Sequence, residues 1–126
     1  MPVVGIGTDI IEISRIADMA TATRDRLAKR VLTLSEFQFY SDTNHPERYL
    51  AKRWAGKEAA SKALGTGIAD GVSFQNFHIN SLDSGQPVLM LSGRALEVAQ
   101  ALGANTWQIS LSDEVTYATS VVILSS

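Results

Sequence analysis

RYLAKRWAGKEAASKALGTG, running from Arg48 to Gly67, is the longest stretch of the chain with one consistent local preference. Pro46 stands just ahead of it with Glu47 in the first turn, and Gly65 follows Leu64, its last apolar residue, so start and stop signals for a helix are both in place. No proline and hardly any β-branched residue lies between them, which predicts a long helix. At about 100° per residue, Ala51, Ala55, Gly56, Ala59, Ala60 and Ala63 share one arc of small side chains, against which another backbone can pack closely. Glu58 and Lys62 lie one turn apart on the rim of that arc, and Arg53, Lys57 and Ser61 are expected on the adjoining surface. One carboxylate among several cations on a closely packed helix points to a bound metal and phosphate.

The partner for the arc is sought first in Val3 to Ile13, VVGIGTDIIEI, which reads as a buried strand dense in β-branched residues. By the two-residue period Gly5, Gly7, Asp9 and Ile11 face one way. The glycines alone fit a bulge and Asp9 alone fits a turn cap. An aspartate inside an apolar strand is nevertheless costly unless paired or bound to metal. The glycine face is expected to meet the alanine arc, which brings Asp9 near Glu58.

Composition sets the limits. With 126 residues, 45% of them hydrophobic and 19% charged, the chain is expected to form a single domain spanning residues 1–126. That size leaves little room for a deep cleft, and a subunit interface could supply the missing wall. The absence of cysteine excludes a disulfide framework and a thiolate metal site, and two histidines, His45 and His78, exclude a multi-histidine one. No basic leader and no apolar run long enough for a bilayer is present, so a cytoplasmic protein without membrane attachment is expected. A net charge of −2 argues against nonspecific nucleic-acid binding.

The remaining segments complete an α+β plan. Ser14 is expected to cap a helix beginning SRIADMA, with helical composition continuing from Arg24 to Leu32; the cations of this region read first as a solvated face. Thr33-Leu34-Ser35-Glu36 is a capping-box pattern opening a helix from Leu34 to about Ser41, whose Phe37, Phe39 and Tyr40 are expected in the core. The loop from Thr66 to Val72 is glycine-rich but lacks the ending of a P-loop. Strands are predicted at Phe77–Ser81, Val88–Leu91, Thr106–Ser112 and Tyr117–Leu124, and a helix at Gly93–Leu102 capped by Ser92. Asp113 and Glu114 read as solvated turn residues. The order is that of an antiparallel sheet packed on a long central helix.

Two carboxylates without thiolate or histidine company suit a hard cation held through oxygen, Mg²⁺ above all. Arg53, Lys57 and Lys62 would hold the remaining phosphate charge. A surface ion pair between Glu58 and Lys62 is the bland alternative; it weakens because Glu58 stands among alanines on a helix expected to be largely buried.

Two of these segments together, GIGTDIIEISRI (Gly5 to Ile16) and LAKRWAGKEAASKALGTGI (Leu50 to Ile68), resemble the holo-(acyl-carrier-protein) synthase family, the small bacterial 4′-phosphopantetheinyl transferases. The likeness extends to SFQNF from Ser73, the SGQP turn, and SLSDEVTYA near the end. It implies transfer of the 4′-phosphopantetheine arm of coenzyme A to a serine of apo acyl carrier protein in fatty acid biosynthesis, releasing adenosine 3′,5′-bisphosphate. By the resemblance Asp9 and Glu58 bind Mg²⁺, Lys62 neutralises the transferring phosphoryl group, and Arg53 with Gly65, Thr66 and Gly67 contacts the nucleotide. The proton of the serine goes to Glu58 or a metal-bound water. Arg15, extended by Met19 and Arg24, meets acidic residues of the carrier, which replaces the solvated-face reading of the basic helix. The family forms homotrimers with a site at each subunit interface. Many relatives carry histidine at the position of Asp113, and phenylalanine is frequent at that of Trp54.

Two other readings remain. A noncatalytic trimeric module for nucleotides or acidic partners would not need Asp9 and Glu58 together. A metal-dependent diphosphate hydrolase would release phosphopantetheine to water, but the chain has no clustered run of glutamates of the Nudix kind.

Overall fold

The computed structural model describes Pro2–Ser126. Its elements are β1 (Val3–Glu12), α1 (Ser14–Ala17), α2 (Thr21–Val31), α3 (Leu34–Asp42), α4 (Pro46–Ala63), a 3-10 turn at Phe74–Asn76, β2 (Phe77–Ser81), β3 (Pro87–Leu91), α5 (Gly93–Ala101), β4 (Thr106–Asp113) and β5 (Tyr117–Ser125). Strands β1, β5 and β4 form an antiparallel sheet in that order, and β2 pairs with β3 as a separate antiparallel hairpin. The α+β plan and most element boundaries agree with the sequence reading.

Helix α4 runs between the three-stranded sheet and the other helices, and most of its residues are buried. Leu50, Ala51 and Ala55 of this helix join Ile11, Ile16, Val31 and Phe74 in one apolar cluster. Ala59, Ala60 and Ala63 join Phe77, Leu89, Val122 and Leu124 in a second. The arc of small residues is thus the inside of the molecule.

The contact between β1 and α4 is closer than any side chain permits. A Cβ at Gly7 would lie 1.9 Å from the Ala59 carbonyl oxygen, and one at Gly5 would lie 2.2 Å from that of Ala63. Glycine is needed here for distance. At Gly56, by contrast, a Cβ would meet the mobile end of Ile79 at 2.6 Å.

Three expectations need correction. Ser14 is the first helical residue and does not cap: its hydroxyl donates to Glu12 Oε1 at 2.8 Å, Ile13 takes the cap position, and α1 closes after Ala17, so the basic segment is two helices. Phe39 is exposed, unlike buried Tyr40, because it lies on the outer side of α3 with its ring tilted against Tyr49. Strand β1 is buried on one face only; Ile6 and Ile10 are 62% and 59% exposed on the other.

Replacing Gly7 by alanine therefore forces backbone against backbone, which cannot relax by a rotamer change. Gly7→Ala should destabilise by more than about 3 kcal/mol, beyond ordinary overpacking, and Gly56→Ala by clearly less, in parallel urea denaturation curves.

Candidate active site

Register carries the close contact outward to the chemistry. Asp9 lies two residues beyond Gly7 on the same face of β1, and Glu58 immediately precedes Ala59 on α4. The two carboxylates line one open cavity with Ile10, Ile11, Arg15 and Trp54. Lys62 donates to Asp9 Oδ1 at 3.0 Å and to the Thr8 carbonyl at 3.0 Å. Lys62 thus pairs with the strand aspartate, where the surface-pair alternative has it on Glu58. Burial pushes the Glu58 carboxyl above its ordinary value and the charge of Asp9 adds to that, while Lys62 and the Trp54 N–H, which faces the carboxyl but falls short of hydrogen-bond geometry, pull the other way.

A half-buried, like-charged pair of oxygen donors is a poor arrangement by itself and a good one around a hard divalent cation. Two protein carboxylates suffice for Mg²⁺, which keeps waters and takes phosphate oxygens for the rest of its shell. Among the described residues there is no group of three or more such ligands. The residues present therefore fit an ion shared with a phosphate-bearing ligand better than one caged by protein alone.

The stripe Arg53, Lys57, Ser61 is not on the surface: all three are buried. Lys57 is fully buried, and its ammonium donates to Glu36 Oε1 at 2.6 Å, the Val31 carbonyl at 2.7 Å and the Phe74 carbonyl at 3.3 Å. It has no reach to a phosphate, so its expected ligand contact is withdrawn. Ser61 donates to the Glu58 carbonyl at 2.7 Å. Burial raises the Glu36 carboxyl, but the Lys57 charge and the N–H groups of Ile79 and Thr33 outweigh it and hold Glu36 below its usual range. Nothing in the periodicity marks Glu36 as a counter-ion; a capping box puts it on a helix start, and only the need of a buried lysine for a partner could have singled it out.

Arg53 keeps access to a cavity of its own, lined with Tyr49, Lys52, His78, Asn80 and Ser81. Its guanidinium lies 4.7 Å from the Tyr49 ring centroid and donates to Ser81 Oγ at 3.1 Å. Arg53 and Glu58 are about 140° apart around α4, so one chain does not aim both at one small group. Gly65 and Gly67 have positive φ, and their N–H groups return to the carbonyls of Lys62 and Ser61, closing the end of α4. Thr66 donates its hydroxyl to the Gly67 carbonyl.

Of the residues expected to meet a partner, Arg15 lies beside the carboxylates, its guanidinium 5.6 Å from the Trp54 ring centroid. Met19 follows α1, half-buried. Arg24 is on α2 in a different cavity, donating to the Tyr40 hydroxyl at 2.7 Å, which in turn donates to Asp25. Asp113 is no free turn residue: Arg48 and Lys52 pair with it at 2.8 Å and 3.4 Å, and its hydrogen bond from Arg48 holds its carboxyl below the ordinary value.

Fold and site together define a phosphopantetheine-transfer scaffold: residues 5–120 match the 4′-phosphopantetheinyl transferase superfamily, and the chain belongs to that family. Within it the similarity is to holo-(acyl-carrier-protein) synthases. The one from Shewanella denitrificans is 55% identical, with 100% of each chain covered. The crystal structure of the synthase from Neisseria meningitidis superposes with a TM-score of 0.88 at 36% identity, covering 99% of this chain and 100% of that one. The Helicobacter pylori synthase, solved in complex with coenzyme A, superposes with a TM-score of 0.80 at 30% identity over 95% of this chain and 99% of its own.

The raised Glu58 carboxyl has a measurable consequence. Protonation competes with a cation there, so divalent-ion affinity should start to fall, as pH is lowered, at a pH above the ordinary carboxylate value of 4.5. Carboxyl ¹³C NMR should find Glu58 titrating above that value, and Asp9→Asn should bring it partway back, since burial remains. A Glu58 signal titrating at the ordinary value would refute the assigned environment.

Proposed function

We propose that this protein transfers the 4′-phosphopantetheine group of coenzyme A to a serine hydroxyl of apo acyl carrier protein, releasing adenosine 3′,5′-bisphosphate, in the cytoplasmic synthesis of fatty acids. The observation that carries this reading is the Asp9–Glu58 pair in one open cavity with Arg15, and Lys62 on its edge, in a chain similar to holo-(acyl-carrier-protein) synthases over its full length.

In this reading Asp9 and Glu58 hold Mg²⁺. The bound ion supplies charge neutralisation on the diphosphate. The serine oxygen forms a bond to the phosphorus of the phosphopantetheine arm, the bond from that phosphorus to the bridging oxygen breaks, and its electron pair leaves with adenosine 3′,5′-bisphosphate. Glu58, at the edge of the same cavity, takes the serine proton as general base. Lys62, half exposed on a flexible stem, turns from Asp9 to the transferring phosphoryl oxygens. Arg15 and Met19 receive the acidic carrier close to the carboxylates, and Arg24 continues that surface, its guanidinium steadied by Tyr40.

The protein acts as a homotrimer. The outer face of the three-stranded sheet carries Ile6 and Ile10 of β1 beside Ile123, Val121 and Tyr117 of β5, an apolar stripe that the chain itself leaves uncovered. Association along it lets Arg53 and the Gly65–Gly67 loop of one subunit bind the nucleotide end while Asp9, Glu58 and Lys62 of a neighbour handle the diphosphate. That division agrees with the angle between Arg53 and Glu58 on α4. A noncatalytic binding module has no use for two apposed carboxylates.

Intact mass spectrometry of apo acyl carrier protein, incubated with coenzyme A, Mg²⁺ and this protein, should show the gain of one phosphopantetheine. EDTA or the Asp9→Ala/Glu58→Ala double variant should abolish it, and Lys62→Ala should slow it roughly 10²–10³-fold. Sedimentation equilibrium should give a trimer, and Ile10→Arg should yield monomers that have lost transfer. No mass gain with carriers from several pathways would refute the transferase, and an active monomer would refute the shared site.

A further inference from the structure

Three buried side-chain atoms among the described residues lack a hydrogen-bonding partner: Arg53 Nε, Trp54 Nε1 and Ser120 Oγ. Such groups are rare in folded proteins, and each requires an explanation. Arg53 borders the cavity proposed for the nucleotide. The other two flank the carboxylate pair. Trp54 stands one helical turn before Glu58 on α4 and lines the cavity that both carboxylates share. Ser120 is directly opposite Asp9 in the β1–β5 ladder, is only 2% exposed, and lines the adjoining cavity with Asp9 and Lys62. Opposite residues on one face of an antiparallel pair have Cβ atoms roughly 4.5–5.5 Å apart, within reach of a hydroxyl–carboxylate contact after a small side-chain turn.

Asp9 is held by Lys62. Were Lys62 to turn to a phosphoryl oxygen, as the proposed function has it, Asp9 would lose that donor while helping to hold the ion. Carboxylates that ligate a metal are in turn oriented by hydrogen bonds from neighbouring donors. Ser120 is the buried donor across the ladder, and the Trp54 N–H is the one beside Glu58. Arg15, stacked at 5.6 Å on the Trp54 ring, fixes the plane of the indole.

We propose that Trp54 and Ser120 are positioning residues for the cation-bound carboxylate pair: the indole N–H donates to Glu58, and the hydroxyl donates to Asp9. Neither touches the reacting atoms. The inference rests on the metal-dependent reading of the site.

The test uses Mn²⁺ as probe on the full chain, free ion being counted by electron paramagnetic resonance. Trp54→Phe keeps an aromatic face for Arg15 and removes the N–H; Ser120→Ala removes only the hydroxyl. Each should weaken Mn²⁺ binding by about tenfold. In EDTA neither should melt below the unsubstituted protein, because the deleted groups have no partner there to lose. Mn²⁺ affinity within twofold of the unsubstituted protein in both variants overturns the proposal. So does a lowered melting temperature in EDTA for both, which would make them ordinary packing residues. Asp9→Ala separates the two levels of the argument. If it abolishes Mn²⁺ binding while Trp54→Phe and Ser120→Ala leave it intact, only the positioning roles fail. If it changes nothing, the metal site fails and the inference with it.

Discussion

The approach of β1 to α4, with Gly7 against the Ala59 carbonyl, is the constraint from which the site follows. Strand and helix are in backbone contact, so the separation of the residues just beyond is set by main-chain geometry. Asp9 and Glu58 are those residues, each carried on a regular element that packing holds rigid. A pair of like charges gains nothing by closeness, and burial penalises it further, as the raised Glu58 carboxyl records. The glycine–alanine contact supplies the stability that the carboxylates oppose. This is the usual relation between a scaffold and a strained functional group: the favourable interaction and the useful one are different interactions placed side by side.

A second constraint lies on the inward side of the same helix. Arg53 and Lys57 are one turn apart and both buried, so their charges repel in a region of low polarity. Glu36 offsets one of them at 2.6 Å and accepts the N–H groups of Ile79 and Thr33 as well. Removing one member of such a pair costs about 3–5 kcal/mol, far more than a surface pair contributes. Glu36 thereby ties α3, α4 and the middle of β2 together. With Lys57 neutralised, Arg53 is left as the guanidinium that borders the cavity beside Tyr49 and Ser81.

The parts of this structure that were legible in the sequence are those decided by small residues and by period. The alanine arc and the glycine face of β1 identify each other because few other surfaces accept so close a neighbour, and the nearness of Asp9 and Glu58 follows from them. What was not legible concerns which side of α4 is inside. A stripe of Arg53, Lys57 and Ser61 reads as polar and therefore outward; it is inward because partners from distant segments, Glu36 and the Val31 and Phe74 carbonyls, satisfy it. Local pattern cannot show a partner 21 residues away in sequence. The same holds for Asp113, which reads as a solvated turn and is met by Arg48 and Lys52 across the fold. Ser120 carries no signal until the ladder register sets it opposite Asp9.

The helix that organises the fold also shows why the proposed function calls for more than one copy of it. A helix buried around most of its circumference can offer functional groups only along the strips that a cavity reaches, and α4 has two of these. Glu58 and Lys62 look towards β1, while Arg53 looks towards the β2–β3 hairpin. A ligand with a diphosphate at one end and a nucleotide at the other needs both kinds of strip in one groove. Widening a single chain to join them would open the alanine core on which the carboxylate spacing depends. In the proposed function, docking a second chain against the apolar sheet face would bring the two strips together without disturbing either. The uncovered isoleucines of β1 are on the strand that carries Asp9, so the surface proposed to recruit a neighbour and the surface proposed to hold the ion are two faces of one element.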